Sequence, residues 1–168
     1  AKLLKQQLPD VQFAMPRAGT IPLAMLKEKI AASGLDVKIT EGHNYDLFSA
    51  ADLALATSGT VTLEAALCGL PSVIVYRTSA LNAFIARLVI NIPNIGLPNI
   101  VAGKTIMPEL LQEDFTPEKL AKTAVELLQP ERQAQLQSDL EYMKKRLGEP
   151  GAVDRVAQLI LKITEEKK

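Results

Sequence analysis

Two short apolar runs, Leu53–Ala56 and Ser72–Tyr76 (SVIVY), bracket a helical stretch that opens on Ser58-Gly59-Thr60. Both runs are apolar on both faces, as in strands buried from two sides. Strands of that kind alternating with helices form a parallel sheet covered above and below. The same alternation extends upstream. Leu3, Leu4 and Leu8 end an amphipathic helix at Pro9, and Val11–Met15 (VQFAM) reads as a strand closed by Pro16 and the Arg17-Ala18-Gly19 loop. Pro22–Ser33 carries Leu23, Leu26 and Ile30 at helical spacing, with Gly34 as its stop. Asp36–Thr40 (DVKIT) is a further strand, Glu41-Gly42-His43-Asn44 a turn and Asp46–Ala51 a short helix; a fifth strand is expected near Ile95–Leu97.

From Thr116-Pro117, an N-cap and a proline at the first helical position, the pattern becomes purely helical. Helices are expected over Pro117–Leu128, Glu131–Leu147 and Ala152–Thr164. The fold class is therefore α/β: a Rossmann-like parallel sheet flanked by helices over residues 1–115, with a helical part over 116–168. At 168 residues the chain can bury a sizeable core without disulfides, and its one cysteine, Cys68, suits a reducing compartment.

Nineteen Lys and Arg balance nineteen Asp and Glu, and aromatic residues are sparse, so no nucleic-acid partner is expected. The apolar region from Leu81 to Gly103 is broken by Arg87, Asn91, Pro93, Asn94, Pro98 and Asn99, too often for a bilayer span. Its stripe of Leu81, Phe84, Ile85, Leu88 and Val89 reads as a core helix, with a subunit or membrane-surface contact as the alternative. The chain begins at Ala1-Lys2, inside a helical pattern, which reads as a piece of something longer.

Chemistry concentrates at Ser58-Gly59-Thr60, where the carboxyl end of a strand turns into a helix, the end at which open α/β sheets bind ligands. Free backbone N–H groups and the helix dipole attract phosphate there, Gly59 permits close approach, and the Ser58 and Thr60 hydroxyls are potential donors. Glu64 lies one turn further along the same face, placed to accept hydrogen bonds from a ribose diol. That combination suits a nucleoside diphosphate. An ordinary helix cap with a solvated acid accounts for the same string, and neither a P-loop nor a G-x-G-x-x-G fingerprint is present. Arg17 and Arg77, both just past strand ends, suit either a phosphate or structural pairing. His43 reads as a neighbour of the base pocket, Cys68 as packing, and Glu113-Asp114 as a helix end.

Ser58-Gly59-Thr60, Leu63-Glu64-Ala65, Pro71 and Tyr76-Arg77 resemble the donor-binding half of the lipid A disaccharide synthases, glycosyltransferases of two-domain GT-B architecture. The likeness runs from about Leu35 to Leu128 and is most specific in LPNIVAG (residues 97–103) and PELLQE (residues 108–113). It implies an inverting transferase that moves 2,3-diacylglucosamine from UDP to 2,3-diacylglucosamine 1-phosphate (lipid X), forming the β-1,6-linked disaccharide. Ser58, Gly59 and Thr60 would face the diphosphate and Glu64 the ribose. Asn99, Gln112 and Glu113 would lie in the donor site, and the turn holding His43 and Asn44 would meet the uracil.

Such families need neither a metal nor another cofactor, and the chain has no D-x-D pair. The resemblance also implies a cytoplasmic enzyme peripheral to the inner membrane, and a homodimer. A UDP-N-acetylglucosamine 2-epimerase-like isomerase shares the architecture but lacks the LPN…LLQE segment; a non-catalytic nucleotide-sugar-binding module is the other alternative. The family's first donor-domain strand with its Gly-Ser-Arg loop is not in this sequence, nor is its acceptor half with the expected acidic base. No catalytic residue is therefore assigned, and the chain alone is expected to transfer no sugar. Val11–Met15 and Leu53–Ala56, which would flank the missing strand, are expected either to pair directly or to leave a gap that another segment fills.

Overall fold

A computed structural model of the protein describes residues 1–79 and 93–165. The order of elements is α1 (Lys2–Gln7), β1 (Phe13–Pro16), α2 (Leu23–Ser33), β2 (Val37–Thr40), α3 (Asn44–Ala50), β3 (Ala54–Thr57), α4 (Thr60–Leu67) and β4 (Ser72–Tyr76). Beyond residue 92 come α5 (Leu97–Ala102), β5 (Glu109–Leu111), a 3-10 turn (Gln112–Asp114), α6 (Pro117–Leu127), α7 (Pro130–Leu147) and α8 (Ala152–Glu165). The arrangement is Rossmann-like α/β: every strand pairing is parallel, and helices flank the sheets.

The strands form two separate groups, β1–β2 and β3–β4–β5. The flanking strands do not pair directly, since β1 and β3 share no ladder, and among the described residues no further strand fills the gap between them. Their exposure fits strands that each lack a neighbour. Ala14, Met15 and Pro16 of β1 are exposed, and Leu55 of β3 is 41% exposed. The expectation of strands buried on both faces therefore holds for β4, whose residues 72–75 are all buried, and not for β1 or for β3, where Leu55 and Thr57 are exposed.

Burial on two faces gives β4 two cores. Ile74 packs with Ala66 of α4, Ala102 of α5, Ile106, Met107, and Leu140 and Met143 of α7. Val73 and Val75 point the other way, toward Leu127 of α6 and Leu136 of α7. A smaller cluster of Leu4, Ala121 and Ala124 gathers Phe13 and Leu53, the residues just before the exposed parts of β1 and β3. Phe48 of α3 packs with Ala65 of α4 and Leu70.

One strand lies elsewhere than expected. Residues 95–97 lead into α5, with Gly96 as its N-cap and Pro98 in its first turn, where a missing N–H costs nothing. The fifth strand is instead Glu109–Leu111, paired with β4. Glu113 and Asp114, expected to end a helix, occupy the 3-10 turn that follows this strand. The cap at Thr116 is as read: its Oγ1 accepts from Lys119 N at 3.2 Å. The apolar stripe at Leu81–Val89 lies outside the described residues.

Helix α5 is also tied to α7. Arg146 Nε donates to Val101 O at 2.9 Å, and Lys104 Nζ pairs with Asp139 at 2.7 Å. Burial pushes the Asp139 carboxyl up, but hydrogen bonds from Lys104 and Gln135 more than offset it and hold its pKa below the ordinary value. Among the described residues no helix is long and apolar enough to cross a membrane.

Candidate functional site

The turn from β3 into α4 is built on the ladder to β4. Ser58 N donates to Val75 O at 3.0 Å, extending the pairing one residue past the strand. The Ser58 hydroxyl donates to Ile95 O at 3.1 Å, so both of its donors are engaged within the chain. Gly59 is extended, and a Cβ placed on it would meet nothing within 4 Å. Its carbonyl accepts from Thr62 Oγ1 at 2.7 Å, which turns the chain into the helix. The amides of Gly59, Thr60 and Val61 have no partner among the described residues. They are the orphan donors of a helix start, and Thr60 beside them is exposed. Glu64, one turn on, is half-buried, and its carboxylate is likewise without a partner among the described residues.

The ends of β4 and β5 lie next to this turn through the ladder. Arg77, past the end of β4, donates from Nη2 to Gln112 O at 3.2 Å and to Phe115 O, and its guanidinium stacks over the Phe115 ring at 5.3 Å. Arg77 is thus spent on structure. Gln112 sits at φ 49°, and its Oε1 accepts from Thr78 N at 3.4 Å, while Glu113 beside it is exposed.

His43, after β2, has φ 54° and caps α3 ahead of Asn44; its Nδ1 lies 3.2 Å from Asp46, with both side chains exposed. His43 and Gln112 are the two non-glycine residues at positive φ among those described. Such conformations are costly and gather at functional sites. Nearby, Arg17 grips Glu41 with two hydrogen bonds of 2.9 and 2.8 Å and donates to Ile21 O at 2.6 Å. The guanidinium holds the Glu41 carboxyl below the ordinary range, and of the two readings of Arg17 the structure takes the pairing.

Asn99 is fully buried, with both polar side-chain atoms engaged. Its Oδ1 accepts from Ile106 N and Met107 N, each at 2.8 Å; its Nδ2 donates to Met107 O at 2.8 Å and to Glu109 Oε1 at 2.7 Å. Glu109 also accepts from Ile95 N at 2.9 Å and Gly96 N at 3.0 Å. A Cβ on Gly96 would stand 2.4 Å from Ile74 Cδ1, so this loop rests directly on the core face of β4.

Two cavities lie away from the turn at Ser58. One of about 150 Å³, lined by Lys5, Gln12, Asp36 and Lys38 among others, sits at the amino ends of β1 and β2, opposite the ligand-binding edge. The other, about 240 Å³, lies beside Asn94, Asn99 and Ile100. Among the described residues no cluster of His, Cys, Asp or Glu could hold a metal ion.

A family model described as Lipid-A-disaccharide synthetase matches residues 1–163. The chain belongs to the lipid-A-disaccharide synthetase family. It is 40% identical over 168 residues to a lipid-A-disaccharide synthase of Syntrophus aciditrophicus, covering 99% of this chain and 44% of that protein. Synthases of the same name from Geobacter sulfurreducens and Anaeromyxobacter dehalogenans are 37% and 42% identical, each with 43% of its length covered. The chain thus spans less than half the length of these relatives.

Ser58, Gly59 and Thr60 follow the carboxyl end of β3 and Gln112 and Glu113 that of β5, with β4 between them, and Glu64 lies one turn into α4. His43 and Asn44 belong to the other strand group, joined to α4 through the packing of α3. Asn99 lies behind the turn as part of its support. Sequence reasoning missed Glu109. The available signal was an acid opening an apolar segment in a parallel-sheet protein, where a charge needs several donors to be tolerated.

Proposed function

We propose that this chain is the donor-binding part of an inverting glycosyltransferase. The complete enzyme moves 2,3-diacylglucosamine from UDP to 2,3-diacylglucosamine 1-phosphate and makes a β-1,6-linked disaccharide. The observation that carries the reading is the family match across residues 1–163. The local chemistry supports it: free amides at Gly59, Thr60 and Val61 stand at a helix start with open space over Gly59. They and the Thr60 hydroxyl take the diphosphate, and the helix dipole stabilises charge that develops on departing UDP. Glu64 accepts from the ribose hydroxyls. The His43-Asn44 turn faces the uracil, and Gln112 and Glu113 line the sugar side.

The acceptor, and the base that removes its proton, belong to sequence outside this chain. The 168-residue polypeptide is therefore expected to bind UDP without turnover. Cytoplasmic placement at the inner membrane surface, and pairing with a second copy, belong to the same reading. The apolar residues that α8 exposes, Val153, Val156, Leu159 and Ile160 among them, support the association.

Calorimetric titration with UDP tests the site. Glu64→Ala is expected to weaken binding by about 1–3 kcal/mol, the worth of hydrogen bonds to a charged acceptor. Equal affinities in the two proteins would remove Glu64 from the site, and undetectable binding by the unsubstituted chain would remove the site itself.

A further inference from the structure

We propose that Glu109 is a positioning residue for the nucleotide site, holding the loop whose carbonyl anchors Ser58. The inference rests on the donor-site reading above, and no residue in its path touches the ligand.

The path is continuous in hydrogen bonds. Glu109 Oε2 accepts from Ile95 N at 2.9 Å, and Oε1 accepts from Gly96 N at 3.0 Å and Asn99 Nδ2 at 2.7 Å. Three donors on one carboxylate fix the peptide plane at residues 95–96, because a carboxylate offers acceptors only. That plane sets the direction of Ile95 O, which takes the Ser58 hydroxyl at 3.1 Å. Ser58 is the last residue before the three free amides of Gly59, Thr60 and Val61.

The consequence separates Ser58 from its neighbours. With its amide on Val75 and its hydroxyl on Ile95, Ser58 brings no donor to a phosphate. Its part is to hold the first turn of α4 against the loop, so that the following amides converge on one point. Binding sites need such support, because small displacements of donors cost affinity.

The neutral isostere breaks this arrangement selectively. A glutamine at 109 has one acceptor oxygen for three donors, and its NH₂ must face either Ile95 N–H or the pair from Gly96 and Asn99. Supporting residues of this kind typically cost about 10–100-fold when removed.

The test is a double-mutant cycle on UDP affinity, read by calorimetry, with unfolding midpoints measured on the same four proteins. Glu109→Gln and Ser58→Ala are each expected to weaken UDP about tenfold, and the double variant by little more than either, because they cut one path. Glu109→Asp, which keeps both oxygens on a shorter arm, is expected to fall between Glu109→Gln and the unsubstituted chain. It replaces Glu109→Gln in the cycle should that variant not fold.

Losses that multiply in the double variant would overturn the proposal. So would a Glu109 variant with a lowered unfolding midpoint and unchanged UDP affinity, the signature of a purely structural role. Both results leave the donor-site reading standing. Absence of UDP binding in the unsubstituted chain sinks that reading and the positioning role together.

Discussion

Glu109, opening β5, and Glu41, just past the end of β2, are both carboxylates held by nitrogen donors at 2.7–3.0 Å. Their surroundings differ. Two of the Glu109 donors are backbone amides of a loop pressed on the core and the third is Asn99, which is fully buried, so all three bonds are at least partly shielded from water. The donor to Glu41 is the Arg17 side chain, and the Glu41 side chain is 52% exposed, so water can replace the pair. The strands repeat the contrast: residues 72–75 of β4 are sealed on both faces, and Ala14–Pro16 of β1 are exposed. The same bond lengths therefore carry different energetic weight, and what decides it is whether a broken bond leaves its partner stranded.

The largest effect is expected at Asn99→Leu, which keeps the branching, adds bulk and removes four hydrogen bonds. Ile106 N and Met107 N lose their acceptor and Met107 O its donor, all in a buried region. At about 1–3 kcal/mol per stranded group, the loss should reach at least about 3 kcal/mol in urea unfolding. A loss below about 1 kcal/mol would mean that water or a relaxed loop re-satisfies these amides, and the contrast with Glu41 would dissolve.

Gly96→Ala comes next. The added methyl meets Ile74 Cδ1 at 2.4 Å and Glu109 Oε1 at 3.1 Å, inside a packed core. Overpacking of this kind costs about 1–3 kcal/mol. Because Ile74→Val deletes the offending Cδ1, the double variant should be more stable than the sum of the two single losses predicts. Strict additivity would show that the loop moves away from β4 rather than pressing on it.

The legible parts of the sequence were those with local causes. Strand–helix alternation, the Thr116-Pro117 cap and Gly34 as a helix stop, at φ 69°, follow from side-chain periodicity and backbone chemistry within a few residues. The turn at Ser58-Gly59-Thr60 was legible for the same reason. The misplaced fifth strand had a competing signal: Ile95, Leu97 and Ile100 look strand-like, but Pro98 suits a first helical turn, and residues 109–111 supply the partner that β4 needs.

The hydrogen bonds of Ser58, Asn99 and Glu109 were not legible because they join residues 7 to 37 positions apart. A hydroxyl beside a helix start reads as a ligand donor until the carbonyl that engages it is located. The exposure of β1 and β3 was not foreseen, since pairing is a long-range property that neither strand encodes alone.

Burial alone does not mark importance, and Ser72 of β4 separates the two ideas. Its Oγ is buried without a hydrogen-bond partner, in the same sealed strand that Gly96 presses on. Ser72→Ala removes a desolvated hydroxyl and strands nothing. Its stability should stay within about 0.5 kcal/mol of the parent or rise slightly. A clear loss would reveal a partner for that hydroxyl and bring Ser72 into the class of Asn99.

The smallest effect on stability is expected at the Arg17–Glu41 pair, and pH sharpens the comparison there. Hydrogen bonding from Arg17 lowers the Glu41 pKa from its ordinary value of 4.5. A carboxylate whose folded-state pKa is depressed adds stability that is complete above the unfolded value and lost as pH falls through the folded one. Carboxyl NMR should accordingly show Glu41 titrating below 4.5 and returning to the ordinary range in Arg17→Ala, while the denaturant midpoint at neutral pH barely moves. A midpoint that drops substantially in Arg17→Ala would mean that the guanidinium is not exchangeable with water. The pair would then belong with Glu109, and the distinction between the two strand groups would rest on the burial of β4 and the exposure of β1.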